Sequence, residues 1–149
     1  MRVLIDTNVM LDYLAQRPSF YAEAYLIMDM CRTRKIEGFV AAHSVMNAYY
    51  ILRKSYSENE RRDVLLNFLE LASIVKIDQK SVTAALSQKQ FKDVEDCLQV
   101  ECALACDAKY IVTRNLNDFQ QSIIKAITPG DFIKSVLNGN MRQAENETL

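Results

Sequence analysis

The sequence is poor in the residues that zinc sites and histidine-dependent enzymes need. His43 is the one histidine among 149 residues, so neither a zinc site nor a histidine-based catalytic triad is expected. The four cysteines form no C-x-x-C pair, and all but Cys31 fall on one predicted helix. We therefore expect the cysteines to be small buried apolar residues in a reducing compartment.

Long apolar runs and a strong net charge are also missing. No apolar stretch approaches the roughly eighteen residues of a membrane-spanning helix, so no membrane contact is predicted. The opening MRVLIDTNVM meets an acid too early for a signal peptide, and we expect a cytoplasmic protein. The net charge of −1 gives no global basic signal for nucleic acid.

The chain does contain a regular alternation of short apolar strands and amphipathic helices. Strands are predicted at 3–5, 39–42, 74–77, 110–112 and 123–127, and helices separate nearly all of them. This order predicts one α/β domain over residues 2–137, a three-layer α/β/α sandwich with a five-stranded parallel sheet. Residues 138–149 have no apolar period and are predicted to form a disordered tail.

Aspartates stand at the ends of these elements. Asp6 follows the first strand, Asp118 lies in the loop after the fourth, and Asp93 and Asp96 share one face at the start of a helix. Because parallel strands place their carboxyl ends at one edge, we expect Asp6, Asp96 and Asp118 to meet there. Each acid alone has a simpler interpretation, as a turn former, a helix cap or a loop acid.

Converging carboxylates favour hard divalent cations such as Mg²⁺ or Mn²⁺, which relieve the repulsion between the acids. Such an ion suits phosphodiester hydrolysis, because it polarises the phosphate and activates water without a covalent nucleophile. Thr113, Arg114 and Asn115 follow the fourth strand and are candidates to bind the substrate phosphate or tune the acids.

At these residues the sequence resembles the PIN domain family, a metal-dependent ribonuclease fold that includes VapC-type toxins. The matching segments are V-L-I-D-T-N-V-M-L-D, E-D-C-L-Q-V-E-C-A-L-A and Y-I-V-T-R-N-L-N-D-F. The resemblance covers residues 2–137 and implies a Mg²⁺ or Mn²⁺-dependent endoribonuclease. It places metal-binding acids at Asp6, Asp96 and Asp118, with Asp93 as an auxiliary acid.

One position departs from the family's pattern. PIN domains commonly carry a glutamate on the helix after the second strand, where this sequence has Asn47. Because a subgroup resembles the S-x-x-N arrangement found here, Asn47 is expected to contact the metal or a water. Its missing charge keeps open a second hypothesis, a catalytically inactive PIN module that binds RNA or a protein. A haloacid-dehalogenase-like phosphatase fits less well, since that family has an aspartate where position 8 is asparagine.

The resemblance also implies partners. A VapC-like toxin is expected to have an antitoxin that occupies the acidic cleft, by inserting an arginine, and to form a homodimer.

Overall fold

A computed structural model describes the backbone of residues 1–147 and the side chains of residues 1–139. Five strands form one fully parallel sheet in the order β3-β2-β1-β4-β5. They are β1 (Arg2–Ile5), β2 (Glu37–Val40), β3 (Ala72–Ile74), β4 (Tyr110–Val112) and β5 (Lys125–Ile127). The prediction of a five-stranded parallel sheet is confirmed.

Helices connect the strands and cover both faces of the sheet. They are α1 (Thr7–Leu14), α2 (Tyr21–Arg32), α3 (Ala42–Ile51), α4 (Glu58–Leu69), α5 (Gln79–Ser87), α6 (Val94–Ala105) and α7 (Pro129–Glu147), with short 3₁₀ turns at Leu52–Lys54 and Leu116–Phe119. Several helices begin where their sequence signals lie. Ser57 and Glu60 form a capping box at the start of α4, and Asp78 caps α5. Within the described residues, no helix combines the length and the apolar character needed to cross a membrane.

The central strand β1 is buried on both faces, as expected for a parallel sheet between two helical layers. Val3 and Ile5 belong to one core cluster, which includes residues of α1, α2, α3, α4 and α7. Leu4, between them, faces the second cluster, which is built largely from α6. The predicted α/β/α layering is therefore confirmed.

Several predicted boundaries were wrong. The second strand is Glu37–Val40 and not 39–42, because Ala42 already begins α3. The third is Ala72–Ile74 and not 74–77, and the residues after it run over the second core cluster outside the sheet. The fifth begins at Lys125 and not at 123, since the Ser122 hydroxyl closes a turn on the backbone of Ile124 and leaves Ile123 79% exposed.

The last helix, α7, runs beyond residue 137, the predicted end of the domain. Its backbone is helical to Glu147. The prediction of a disordered tail at 138–149 stays a prediction, because the side chains beyond 139 and residues 148–149 lie outside the described part of the chain.

The strand order creates one switch point. The chain leaves β1 for β2 and β3 on one side, then returns to place β4 and β5 on the other side. The ends of β1 and β4 lie together there, where the Asp6 amide donates to the Val112 carbonyl at 3.0 Å. Ligands of open parallel sheets bind in the crevice beyond the strand ends at this point.

Candidate active site

Asp6 is the first residue after β1, and its carboxylate is held from four sides. One oxygen, Oδ1, accepts from the Thr7 amide and from Gln99 Nε2, both at 2.8 Å. The other, Oδ2, accepts from Thr113 Oγ1 at 2.7 Å and Asn8 Nδ2 at 3.1 Å. An ionised carboxylate has about four acceptor positions, so these donors use its full capacity. Burial raises the pKa of Asp6, and its hydrogen bonds partly offset that rise.

Asp96 lies in the first turn of α6 and is partly buried. Its pKa is raised to about 7, mainly by burial and then by repulsion from Asp118, Asp93, Asp6 and Glu95. Asp93 is the N-cap of the same helix and accepts from the Glu95 amide at 2.8 Å. The negative charges of Asp6, Asp96 and Asp118 are therefore close enough to act on one another.

Asp96 and Asp118 differ from Asp6 because no described residue donates a hydrogen bond to their carboxylates. Within the described residues, neither side chain accepts a hydrogen bond or forms an ion pair. Asp118 is exposed in the 3₁₀ turn Leu116–Phe119. Both acids line one polar cavity of about 370 Å³. Their oxygens are available to a ligand.

Asn47 is exposed on α3, and its amide faces another acid. Its Nδ2 donates to Glu95 Oε1 at 3.0 Å, and His43 Nε2 lies 3.8 Å from the same oxygen. Glu95 directly precedes Asp96, so α6 brings a carboxylate next to the neutral amide of α3. The sequence analysis did not identify Glu95 as part of the site.

Thr113 and Arg114, which follow β4, form hydrogen bonds with aspartates of the protein itself. Thr113 is fully buried and donates to Asp6. The guanidinium of Arg114 donates to Asp12, from Nε to Oδ2 at 2.6 Å and from Nη2 to Oδ1 at 3.2 Å, and lies 3.9 Å from the Phe20 ring centre. These contacts give Thr113 and Arg114 positioning roles. The predicted substrate contacts of Thr113, Arg114 and the exposed Asn115 stay predictions.

Comparison with known proteins places this fold and site in a family. Residues 2–117 match a family model described as a PIN domain. The chain belongs to the PIN domain family. This PIN domain is 25% identical to the curated protein Ribonuclease VapC1 of Aquifex aeolicus (strain VF5) over 134 residues, or 88% of this chain and 92% of that one.

Solved structures share the fold of this PIN domain. VapBC2 from Rickettsia felis, bound to a DNA fragment from its promoter, gives a TM-score of 0.66 at 18% identity, over 86% of this chain and 98% of that one. A toxin–antitoxin complex from Klebsiella pneumoniae gives a TM-score of 0.65 at 22% identity, over 85% of this chain and 97% of that one.

The carboxylate oxygens at this site are the type of ligand that a hard divalent cation prefers. They are not already arranged around a common point. No three acidic, cysteine or histidine side chains in the described part of the chain form a ready ligand set. Mg²⁺ is commonly bound by one or two carboxylates together with waters and substrate phosphates. The unbound carboxylates of Asp96 and Asp118 meet that requirement. Asp6 can reach an ion, directly or through a water, only by giving up one of its hydrogen bonds.

Two buried polar residues that organise this PIN domain were not predicted from the sequence. Gln99, on α6, bonds Asp6 Oδ1 and, at 3.1 Å, the Ser44 hydroxyl. Asp12, on α1, is 1% exposed and pairs with both Arg114 and Arg17. Gln99 follows Asp96 by three residues on a helix whose inner face is otherwise apolar. That polar interruption was the one signal that could have identified it.

Proposed function

We propose that this PIN domain is an endoribonuclease that depends on Mg²⁺ or Mn²⁺. The observation that carries the proposal is the pair of unbound carboxylates at the switch point, Asp96 and Asp118, where burial and then repulsion from neighbouring acids raise the pKa of Asp96 to about 7. Divalent-metal dependence is general among ribonucleases of this family. The relative named Ribonuclease VapC1 supports RNA as the substrate class.

In this proposal each residue has a defined task. Asp96 and Asp118 hold the ion, and Asp6 contributes directly or through a water by exchanging one of its hydrogen bonds. Thr113 and Gln99 keep the Asp6 carboxylate in one orientation. Asp93 and the Asn47–Glu95 pair add polar groups around Asp96. When bound, the ion supplies Lewis acidity to the scissile phosphate and acidifies a water.

We propose further that the nuclease is the toxin of a toxin–antitoxin pair. Solved structures that share its fold are described as toxin–antitoxin complexes, which supports an antitoxin protein as its partner. Such an antitoxin could mask the acidic site with an arginine, as Arg–carboxylate pairs are strong and bidentate. Four cysteines without disulfides and an RNA substrate favour the cytoplasm. The homodimer stays a prediction.

Cleavage of RNA by the purified chain tests the nuclease proposal. With Mn²⁺ the chain should cut RNA, and Asp118→Asn should lower the rate by more than the roughly 10- to 100-fold typical of losing a residue that only supports a metal ligand. Asp63→Asn, which removes an exposed acid of α4, is the matched control and should cut normally. Equal cutting by wild type and Asp118→Asn would refute the proposed site.

The neutral Asn47 favours one alternative, a PIN module without nuclease activity that binds RNA or protein. Its amide is already engaged with Glu95 and brings no charge to the ion. Calorimetric titration with Mg²⁺ and Mn²⁺ separates the two functions. Binding that is lost in Asp96→Asn supports the nuclease, and no binding up to millimolar metal supports the inactive module.

A further inference from the structure

The cavity beside Asp96 and Asp118 has the chemistry of a nucleotide site. We propose that it binds one nucleotide of single-stranded RNA and selects the base that flanks the cleaved phosphate. This assignment rests on the proposed nuclease function and names the substrate contacts of the same site. The cavity measures about 370 Å³, within the usual range of roughly 300–1,000 Å³ for small-ligand sites.

Two loops form the walls of the cavity, one before α6 and one after β4. Besides the two acids, four carboxamide side chains line it, those of Gln90, Asn117, Gln120 and Gln121. All four are exposed. Gln120 Nε2 donates to Asn117 Oδ1 at 3.3 Å, and among residues 1–139 the NH₂ group of Asn117 and the oxygen of Gln120 have no other partner. A carboxamide carries both a donor and an acceptor, as the Watson–Crick edge of a base does.

Phe91 and Lys92 can supply two further contacts to a nucleotide, one to its base and one to its phosphate. Phe91 is partly buried, packs at the margin of the second core cluster and is one of the residues that line the cavity. Unpaired RNA bases bind by stacking on such rings and by hydrogen bonds at their edges. Lys92 is exposed, and within the described residues it forms no ion pair. Its ammonium group can offset the charge of a phosphate that approaches two carboxylates.

The polarity of the cavity favours RNA over a protein segment as the occupant. A groove on α3 and α4, of about 450 Å³, is lined mainly by aliphatic and aromatic side chains, as protein contacts commonly are. The cavity at Asp96 instead offers amides, a cation and one ring. The guanidinium of Arg114, which follows β4, is already paired with Asp12. The cavity adds contacts for a substrate that do not depend on Arg114.

Mapping cleavage sites in a random single-stranded RNA library tests the base contacts. Wild type should prefer one base at a fixed position next to the cut, and Asn117→Ala or Gln121→Ala should reduce that preference about tenfold. Phe91→Leu, which keeps the apolar packing, should weaken RNA binding about tenfold through lost stacking. Lys92→Gln should raise KM and leave kcat nearly unchanged.

Matched controls come from a separate cavity of about 490 Å³ on α5, where Gln79 and Lys80 supply the same side-chain types. Gln79→Ala and Lys80→Gln should keep the wild-type preference and KM. The inference is overturned if the Asn117 and Gln121 variants keep the wild-type preference, or if the controls shift as much.

Binding of nucleoside 5′-monophosphates separates this inference from the proposed function, because these probes contain no bond to cut. With Mg²⁺ present, NMR signals of the four carboxamides should shift and saturate, with different affinities for the four bases. Nucleotide binding without RNA cleavage would support the pocket and refute the nuclease. Absence of any shift with all four probes would overturn the pocket, whether or not the protein cuts RNA.

Discussion

At the scale of single residues, the site depends on buried polar partners that lie far apart in the sequence. Arg114 lies in a segment typical of a substrate loop, and its position alone suggested a phosphate contact. Its actual partner, Asp12, is 102 residues away in sequence and 1% exposed. Sequence gives the type of each side chain, but only the packing of α1 against the loop after β4 decides that these two charges neutralise one another.

Arg114→Met should destabilise the protein by about 3 kcal/mol, because within the described part of the chain it leaves the buried Asp12 carboxylate with the Arg17 contact at 3.3 Å alone. Urea unfolding followed by circular dichroism measures this free energy. Arg62→Met is the control, since the Arg62–Glu58 pair is exposed and its loss should produce no measurable change. Equal stability of the two variants would show that the Asp12 pair does not hold the loop.

Gln99→Met should weaken Mn²⁺ binding by about 10- to 100-fold and leave the fold intact, because Asp6 loses the donor that fixes Oδ1. Calorimetry measures the affinity, and a thermal melt checks the fold. Gln88→Met removes a carboxamide that bonds Glu101, away from Asp6, and should bind Mn²⁺ as wild type does. Similar affinities for Gln99→Met and Gln88→Met would contradict the positioning role of Gln99.

At the scale of elements, the start of α6 concentrates the acids. Asp93 caps the helix, while Glu95 and Asp96 lie in its first turn, where the helix dipole favours negative charge. The start of α6 was predictable, because a helix cap and the spacing of the residues after it are local features of the sequence. The ends of strands were less predictable than the starts of helices. Val75 and Ile77 are apolar and pack on the second core cluster, but they do not belong to β3. Apolar character indicates burial, but it does not distinguish a strand from a loop that crosses the core.

The raised pKa of Asp96 predicts how stability depends on pH without metal. Because this pKa rises from 3.8 in the reference state to about 7 in the fold, the native protein binds more protons than the unfolded chain between these values. Stability conferred by this group is therefore greatest at low pH and falls as the pH rises through about 7.

Thermal melts in EDTA between about pH 4 and pH 8 measure this slope. Asp96→Asn should reduce the decline relative to wild type, although the raised pKa of Asp6 leaves part of it. Asp63→Asn should follow wild type. Parallel curves for wild type and Asp96→Asn would show that Asp96 is not the group responsible.

At the scale of the whole molecule, the strand order brings distant residues to one place. Asp6 and Thr113 meet because β1 and β4 are neighbours at the switch point of a parallel sheet. The alternation of strands and helices predicts that Asp6, Asp96 and Asp118 lie together at this edge of the sheet. It could not predict that Asp6 would be fully hydrogen-bonded while Asp96 and Asp118 stay unbound, because that division depends on side-chain directions fixed by packing.

A crystal of the protein soaked in Mn²⁺ tests the central claim most directly. Anomalous density should show an ion held by carboxylate oxygens of both Asp96 and Asp118, with Asp6 in contact directly or through a water. Asp118→Asn crystals treated identically should lose that peak. Absence of density between Asp96 and Asp118 in the wild type, with the crystal lattice leaving the cavity open, would contradict the account.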